Sequence, residues 1–319
     1  MPEDSIEVSD LTKKFGAFTA VDRITFNVAR GEVFGFLGAN GAGKSTTIRM
    51  LCGLLTPTSG AARVAGFDVA REPERVKAHI GYMSQRFSLY DDLSVEENIA
   101  FFGGIYGLDR GRIAAKAAWV VKMAGLEGKE KALTGSLATG WKQRLALGCA
   151  ILHDPRIVFL DEPTGGVDPA ARRRFWELIH DLAEGGMTVF VTTHYLDEAE
   201  YCHRVMLMHA GAIIAGGSPQ ELKATHMKQP MLEVESDQPV RAMEILQRQP
   251  WILGVSLFGS SLHASVADEA DGRRRIAAVL GEQGLPPQHI ERIMPSLEDV
   301  FIRLIEDRTR ESGAPAGGS

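Results

Sequence analysis

Eight consecutive residues combine glycines with one lysine and one serine. The run Gly38-Ala39-Asn40-Gly41-Ala42-Gly43-Lys44-Ser45 fits the pattern G-x-x-x-x-G-K-[ST]. Glycines let a backbone turn until successive N–H groups face an anion, and a helix that starts there adds its dipole. Lys44 can then reach the β- and γ-phosphates of a nucleotide, while the Ser45 hydroxyl can bind Mg2+. The alternative is a glycine-rich turn without a ligand. We expect the nucleotide to contact Gly38, Asn40, Gly41, Ala42, Gly43, Lys44, Ser45 and Thr46.

Two carboxylates follow a later apolar run. Residues 157–160 are Ile, Val, Phe and Leu, and Asp161 and Glu162 come next. The carboxyl end of a parallel strand is where such sheets bind ligands. Asp161 can hold Mg2+ there, directly or through water, and Glu162 can orient and deprotonate an attacking water. The alternatives are a helix N-cap for Asp161 and a solvated loop position for Glu162.

A histidine ends the next apolar segment, Val191-Thr192-Thr193-His194. An imidazole in that place can donate to a γ-phosphate oxygen and hold the attacking water. A lone histidine is more often a structural residue. Its assignment to catalysis therefore depends on the phosphate loop upstream.

The sequence pattern predicts that alternating strands and helices position these groups. Residues 33–37, 156–160 and 187–192 are almost entirely apolar, as strands buried on both faces are. Helices are expected at 44–55, 112–124, 141–153 and 170–184. This alternation predicts an α/β core with a covered parallel sheet. Residues 5–30 instead alternate polar and apolar positions, which is typical of antiparallel strands exposed on one face.

A second domain is expected after Gly216-Gly217. Ser218, Pro219 and Glu221 form the start signal of a helix. Strands at 231–235, 252–258, 262–267 and 290–293, with helices at 240–248 and 272–283, give the order βαββαβ of a small α+β, ferredoxin-like domain. A last helix should begin near Ser296, with Asp299 as its capping partner. We predict domains at 1–217 and 218–308 and a disordered tail at 309–319.

The bulk composition narrows the class of protein. The chain has 319 residues, 45% of them hydrophobic, and a net charge of −6. An acidic chain argues against a nucleic-acid partner. The sequence contains no run of about 18 apolar residues, and Met1-Pro2-Glu3-Asp4 lacks the features of a signal peptide. We therefore expect a cytoplasmic chain. Cys52 and Cys149 lie in apolar helical segments and should be buried thiols.

These motifs, taken together, resemble the ATP-binding subunits of ABC transporters over about residues 5–230. Phe15 resembles the aromatic residue that stacks on adenine, and Gln85 in Tyr82-Met83-Ser84-Gln85 resembles the glutamine that senses Mg2+ and the transmembrane partner. Asp168 in Gly166-Val167-Asp168-Pro169 is similar to the D-loop aspartate, and residues 193–199 to the switch-histidine segment. The resemblance implies a P-loop NTPase fold of ABC type, with a mixed sheet, an antiparallel β subdomain and a helical subdomain at about 88–152. It also implies ATP and Mg2+ as cofactors.

The subfamily and the partners are implied by the same resemblance. Residues 101–108 and 295–301 are similar to single-domain export-type subunits of the drug-resistance and lipid-exporter branch. In that branch the ATPase pairs with separate permeases. The implied partners are a second ATP-binding subunit, either another copy or a paralogue, and transmembrane permease subunits. The chain would then lie peripherally on the cytoplasmic face of the cell membrane.

One motif departs from the family pattern. The family signature is Leu-Ser-Gly-Gly-Gln followed by Lys-Gln-Arg, whereas this chain has Leu137-Ala138-Thr139-Gly140-Trp141-Lys142-Gln143-Arg144. Ala138 cannot offer the hydroxyl that reaches the γ-phosphate held by the opposite subunit. Losing one hydrogen bond to a charged group costs about 1.5–3 kcal/mol, roughly a 10–150-fold effect. Ser136 is a substitute only if the loop shifts.

Two other functions stay open on the sequence alone. One is a soluble ATP-gated binding module of the same fold, although such relatives usually carry two ATPase copies or long coiled coils. The other is a regulator that binds ATP without hydrolysing it, for which the altered signature is the argument. Glu162 and His194 argue against the second, because a site that only binds needs neither.

Overall fold

The computed structural model describes residues 4–85 and 89–312, which form two compact units divided between Gly216 and Gly217. Residues 1–3 of the acidic N-terminus lie outside the described residues. Among the described residues, no helix is both long enough and apolar enough to cross a lipid bilayer.

The first unit contains ten strands and six α-helices within its described residues. The strands are β1 (Asp4–Phe15), β2 (Phe18–Ala29), β3 (Val33–Leu37), β4 (Ser59–Val64), β5 (Phe67–Asp68), β6 (Ile80–Met83), β7 (Ile157–Asp161), β8 (Thr188–Thr193), β9 (Arg204–His209) and β10 (Ala212–Gly217). The helices are α1 (Lys44–Leu51), α2 (Pro73–His79), α3 (Val95–Ile105), α4 (Arg110–Ala124), α5 (Thr139–Ala150) and α6 (Pro169–Glu184). Short 3-10 helices cover Thr134–Ser136 and Leu196–Tyr201.

A six-stranded sheet in the order β10-β9-β3-β8-β7-β6 forms the centre of this unit. Strands β6, β7, β8, β3 and β9 pair in parallel. Every residue of β3, β7 and β8 is buried, which confirms the three apolar strands predicted from the sequence. The parallel pairing brings the carboxyl ends of these strands to one edge of the sheet, where the phosphate loop, both carboxylates and the histidine follow.

A second, antiparallel sheet in the order β2-β1-β4-β5 packs against the first. Its contact with the parallel sheet includes Phe26, whose ring stacks on that of Phe34 with 5.5 Å between the ring centroids. The Phe34 ring in turn lies 5.4 Å from the tilted ring of Phe190 in the parallel sheet. Burial alternates over residues 23–28 of β2, as the period-2 pattern predicts. The fold expected from the resemblance, a mixed sheet with an antiparallel β part, is confirmed.

Helices α3, α4 and α5 share a separate apolar core, which includes Val95, Ile99, Val120 and Leu145. The helix expected at 44–55 is shorter than predicted, because α1 ends at Leu51 and Gly53 adopts a left-handed φ of 66°. Cys52 and Cys149 are buried, as expected, and burial raises the pKa of both thiols.

The second unit contains a four-stranded antiparallel sheet with helices. Its elements are α7 (Pro219–His226), β11 (Met231–Glu235), α8 (Pro239–Gln247), β12 (Ile252–Phe258), β13 (Ser261–Val266), α9 (Glu269–Glu282), β14 (His289–Ile293) and α10 (Leu297–Ser312). The strand order β12-β13-β11-β14 is the ferredoxin-like order, so this part of the fold prediction is confirmed. Ser218 and Glu221 form the predicted capping box of α7.

The last helix begins as predicted but ends later. Ser296 and Asp299 exchange backbone-to-side-chain hydrogen bonds of 2.7 and 3.2 Å at its start. Because α10 continues to Ser312, residues 309–312 of the predicted tail are helical; residues 313–319 lie outside the described residues, and for them the tail stays a prediction.

Asp299 also accepts a 2.8 Å hydrogen bond from the Nδ1 atom of His263 on β13. Burial raises the pKa of Asp299, but the bonds from His263 and Ser296 outweigh it and leave the pKa below its ordinary value of 3.8. A lowered pKa means that the folded chain favours the carboxylate. The stability that Asp299 contributes is therefore present above about pH 4 and is lost as the pH falls through the lowered pKa.

We predict that Asp299→Asn lowers the free energy of unfolding of the second unit by about 1–3 kcal/mol at pH 7, because a charge-assisted hydrogen bond is lost. The difference from the unchanged chain should shrink as the pH falls below about 4. Differential scanning calorimetry between pH 3 and pH 7 measures both effects. Glu282→Gln, which neutralises an exposed carboxylate on α9, is the control and should change neither. A difference that persists undiminished at pH 3 would contradict this account.

Candidate functional site

The phosphate loop connects the end of β3 to the start of α1 and is held by two close backbone approaches. A Cβ atom at Gly38 would lie 2.2 Å from the Met208 carbonyl oxygen, and one at Gly43 would lie 2.5 Å from that of Ala20. The N–H of Gly211 donates to the Ala42 carbonyl at 3.0 Å. Side chains larger than hydrogen are therefore excluded at Gly38 and Gly43 by packing as well as by the ligand that the loop is expected to hold.

Lys44 points back into this loop. Its Nζ atom donates to the Gly38 carbonyl at 2.7 Å and to the Ala39 carbonyl at 3.2 Å, and it lies 3.3 Å from Glu162 Oε1. Only 4% of the residue is exposed. A nearly buried ammonium needs an opposite charge. Glu162 provides that charge.

Asp161 lies beneath the start of α1. Its Oδ1 atom accepts hydrogen bonds from Ser45 Oγ at 3.0 Å and from Thr192 Oγ1 at 2.6 Å. A carboxylate and a hydroxyl side by side are oxygen ligands that suit Mg2+, which usually takes one or two carboxylates and completes its shell with phosphates and water. In the described part of the chain, no cluster of three or more His, Cys, Asp or Glu could hold a metal without such help. The residues present therefore fit a Mg2+ ion that arrives with a nucleotide.

Glu162 contacts three other side chains of the site. Its Oε2 atom accepts from Gln85 Nε2 at 3.0 Å and lies 3.1 Å from His194 Nδ1, while its Oε1 atom faces Lys44. Its backbone has a φ of 48°, which is uncommon for a residue other than glycine. The Glu162 N–H lies 3.0 Å from the Thr192 carbonyl, which holds the backbone in that conformation.

The charge of Asp161 acts on neighbouring groups beneath the loop. Burial, with Asp161 and Cys52 adding to it, raises the pKa of Tyr82 to about 12, although Arg49 opposes the shift. Burial and then Asp161 also raise the pKa of Cys52. Both groups therefore stay protonated and neutral at physiological pH, so Asp161 faces no second anion from them.

Phe15 ends β1 on the antiparallel sheet and is half exposed. The Lys13 ammonium lies 5.2 Å from the centroid of its ring, within reach of a cation–π contact. An adenine that stacks on Phe15 must use the other face of the ring or displace Lys13.

The altered signature lies at the start of α5. Ala138 is the N-cap and offers no side-chain hydrogen bond, and both it and Thr139 are exposed. Gly140 lies against α6, where an added Cβ would come within 2.8 Å of the Ala171 Cβ. Asp168 caps α6 by accepting from the Ala171 N–H at 2.9 Å. Ser136 donates its hydroxyl to the Leu133 carbonyl at 2.7 Å, so in this arrangement it does not replace the missing serine.

The structure thus brings together six predicted residues: Lys44, Ser45, Gln85, Asp161, Glu162 and His194. Asn40 and Thr46 lie on the same loop and helix start without a contact that defines a role. The sequence reasoning missed Thr192, whose hydroxyl bonds to Asp161 and accepts from the Glu162 N–H. Thr192 pairs with Asp161 in the parallel register of β7 and β8, which the sequence alone does not give.

Family models match both units. A model described as "ABC transporter" matches residues 21–165, and one described as "ATP-binding protein DrrA1-3-like, C-terminal domain" matches residues 217–305. A model of an AAA domain matches residues 140–196.

Known proteins extend the likeness to 95% of the chain. The Probable multidrug ABC transporter ATP-binding protein YbhF of Escherichia coli K12 is 53% identical over 223 residues, which are 70% of this chain but only 38% of YbhF. The Nod factor export ATP-binding protein I of Paraburkholderia xenovorans is 36% identical over 95% of this chain and 98% of its own length. The solved structure of cbiO1 from Clostridium perfringens, part of the ABC transporter complex cbiONQ, is 28% identical with a TM-score of 0.65, covering 78% of this chain and 97% of cbiO1.

The likeness to the Nod factor export protein spans both units. The phosphate loop lies between β3 and α1, at the carboxyl end of a buried parallel strand. The chain belongs to the family of ATP-binding subunits of ABC transporters.

Proposed function

We propose that this chain hydrolyses ATP to power a separate transmembrane permease, and that the transporter works as an exporter. The observation that carries the proposal is the position of Glu162 between Lys44, Gln85 and His194. A protein that only bound ATP would need the lysine but would have no use for a carboxylate and an imidazole held together at the phosphate end.

The chemistry starts with an exchange of partners. When the triphosphate binds in the loop, the Lys44 ammonium leaves Glu162 and contacts the β- and γ-phosphates instead. Glu162 then keeps the hydrogen bond from Gln85 and has lost its contact with the ammonium group. It can accept a proton from a water that attacks the γ-phosphorus in line, while the bond from that phosphorus to the bridging oxygen breaks and ADP leaves. His194 then donates its single N–H to a γ-phosphate oxygen instead of to Glu162.

Ser45 and Asp161 would hold Mg2+, with Gln85 nearby, and the ion would neutralise charge on the β- and γ-phosphates. Thr192 keeps Asp161 oriented through its 2.6 Å hydrogen bond. Phe15 would bind the adenine, and the glycines of the loop would supply the backbone N–H groups that hold the phosphates.

The full site requires a second subunit. The exposed start of α5, with Ala138, Thr139 and Gly140, would cover the nucleotide of the partner, and Asp168 would lie at the same contact. The partner is either another copy or a paralogue. If it is a paralogue with an intact signature, one of the two ATP sites is complete.

The export direction and the permease are supported by the relatives, whose names describe Nod factor export and multidrug transport. YbhF itself is much longer than this chain, so its activity carries over only as part of the proposal. We place the subunit on the cytoplasmic face of the membrane, bound there through the permease.

A pulldown from detergent-solubilised native membranes tests the coupling. The tagged chain should co-purify with an integral membrane protein of several spanning helices, and mass spectrometry of the complex also shows whether the second ATP-binding subunit is the same chain. Membranes from cells with an untagged chain give the background. Recovery of the tagged chain without any integral membrane protein would leave an ATP-gated module that does not drive transport.

The altered signature gives a second prediction. Ala138→Ser restores the hydroxyl of the family pattern, and the ATP turnover of the purified chain should rise by about 10–150-fold, the effect of one hydrogen bond to a charged phosphate. A phosphate-release assay at saturating Mg-ATP measures it. Ser136→Ala is the matched control and should have no effect, because its hydroxyl bonds to the Leu133 carbonyl. Ordinary turnover that Ala138→Ser leaves unchanged would show that the signature is not impaired.

A further inference from the structure

A pair of opposite charges, one of them fully buried, lies outside the nucleotide site. Arg172 is on the first turn of α6, and Glu198 is in the 3-10 helix Leu196–Tyr201. Arg172 Nε lies 3.3 Å from Glu198 Oε1, and the Glu198 side chain is completely buried. Removing a carboxylate from water is unfavourable unless its partners compensate, so the pair requires an explanation.

The contact between Arg172 and Glu198 is an ion pair without a well-formed hydrogen bond. Neither oxygen of Glu198, nor the Arg172 Nε atom, makes a hydrogen bond of normal geometry. Burial is the largest influence on Glu198 and raises its pKa, while the nearby Thr164 and Thr193 and the Arg172 guanidinium offset part of the shift. Buried polar groups left in this condition often serve function.

On one side, Arg172 contacts the segment that follows His194. Its guanidinium carbon lies 4.4 Å from the centroid of the Tyr195 ring, and its Nη1 atom lies 3.6 Å from Asp197 Oδ2. The Tyr195 ring in turn lies 4.1 Å from the His194 imidazole. One guanidinium therefore touches three of the four residues after the histidine, namely Tyr195, Asp197 and Glu198.

On the other side, Arg172 is fixed to the segment that contains Asp168. The Arg172 N–H donates to the Asp168 carbonyl at 2.9 Å, and the Asp168 side chain caps the same turn. The backbone of Arg172 is fixed in position because it belongs to a 16-residue helix. If Asp168 and the first turn of α6 move, the Arg172 guanidinium moves with them.

We infer that Glu198 and Arg172 are positioning residues, whose ion pair holds the segment after His194 against the start of α6 and so keeps the imidazole within reach of Glu162. The ion pair links His194 to Asp168 within one subunit. This inference rests on the proposed function, because it assumes that His194 takes part in hydrolysis.

Glu198→Gln tests the inference with an almost unchanged side-chain size. The variant should keep its affinity for Mg-ATP within about twofold, since Glu198 does not contact the phosphate loop, while kcat should fall about tenfold. Glu177→Gln, an exposed carboxylate on α6, should change neither quantity. A fall in nucleotide affinity that matches the fall in kcat would indicate general damage and would overturn the inference.

The arginine provides a second, independent variant. Arg172→Lys keeps the charge and should retain most of the turnover, whereas Arg172→Gln should lose about tenfold in kcat, and Arg173→Gln on the exposed neighbour should lose none. If Arg172→Lys and Arg172→Gln behave alike, the charge of the arginine has no positioning role and the inference is wrong.

A double-mutant cycle with His194→Ala separates positioning from a structural role. If the pair acts through the imidazole, adding Glu198→Gln to His194→Ala should lower kcat by less than twofold further. Independent, multiplied losses would overturn the inference while leaving the proposed function intact. A His194→Ala variant with unchanged turnover would instead contradict the proposed role of the histidine, and the inference would fall with it.

Discussion

The site depends on one interaction, the contact between the Lys44 ammonium and the Glu162 carboxylate at 3.3 Å. Both groups are almost entirely buried, so each needs a partner of opposite charge. A triphosphate is a stronger partner for the lysine than one carboxylate is. ATP binding and activation of the base then occur together, because the Lys44 ammonium leaves the Glu162 carboxylate when it binds the γ-phosphate.

The fold makes this contact possible by bringing strand ends together. Parallel pairing of β3, β7 and β8 sets the loop, Asp161, Glu162 and His194 along one edge of the sheet. Packed phenylalanine side chains, such as Phe34 against Phe190, hold these strands in place. The loop cannot shift far, because Gly38 and Gly43 lie against the carbonyls of Met208 and Ala20. A site of this kind is preorganised for charge that arrives with the ligand.

The sequence was sufficient to predict the strands, the phosphate loop and the three polar residues at the strand ends, because apolar runs and motif spacing are local signals. It was also sufficient for the ferredoxin-like order of the second unit. It could not predict that Gln85 and His194 share one oxygen of Glu162, since that depends on side-chain directions across 77 and 32 residues. It missed Thr192, which only the strand register marks, and it assigned residues 309–312 to a tail although α10 continues to Ser312.

The most direct measurement is the Mg-ATP affinity and turnover of Glu162→Gln, by calorimetry and by phosphate release. Removing the carboxylate that competes for Lys44 should raise the affinity about tenfold, since a hydrogen bond between charged groups is worth about 1.5–3 kcal/mol. Turnover should fall at least 100-fold because the base is lost. Glu177→Gln should do neither. Unchanged affinity together with retained turnover would contradict the account.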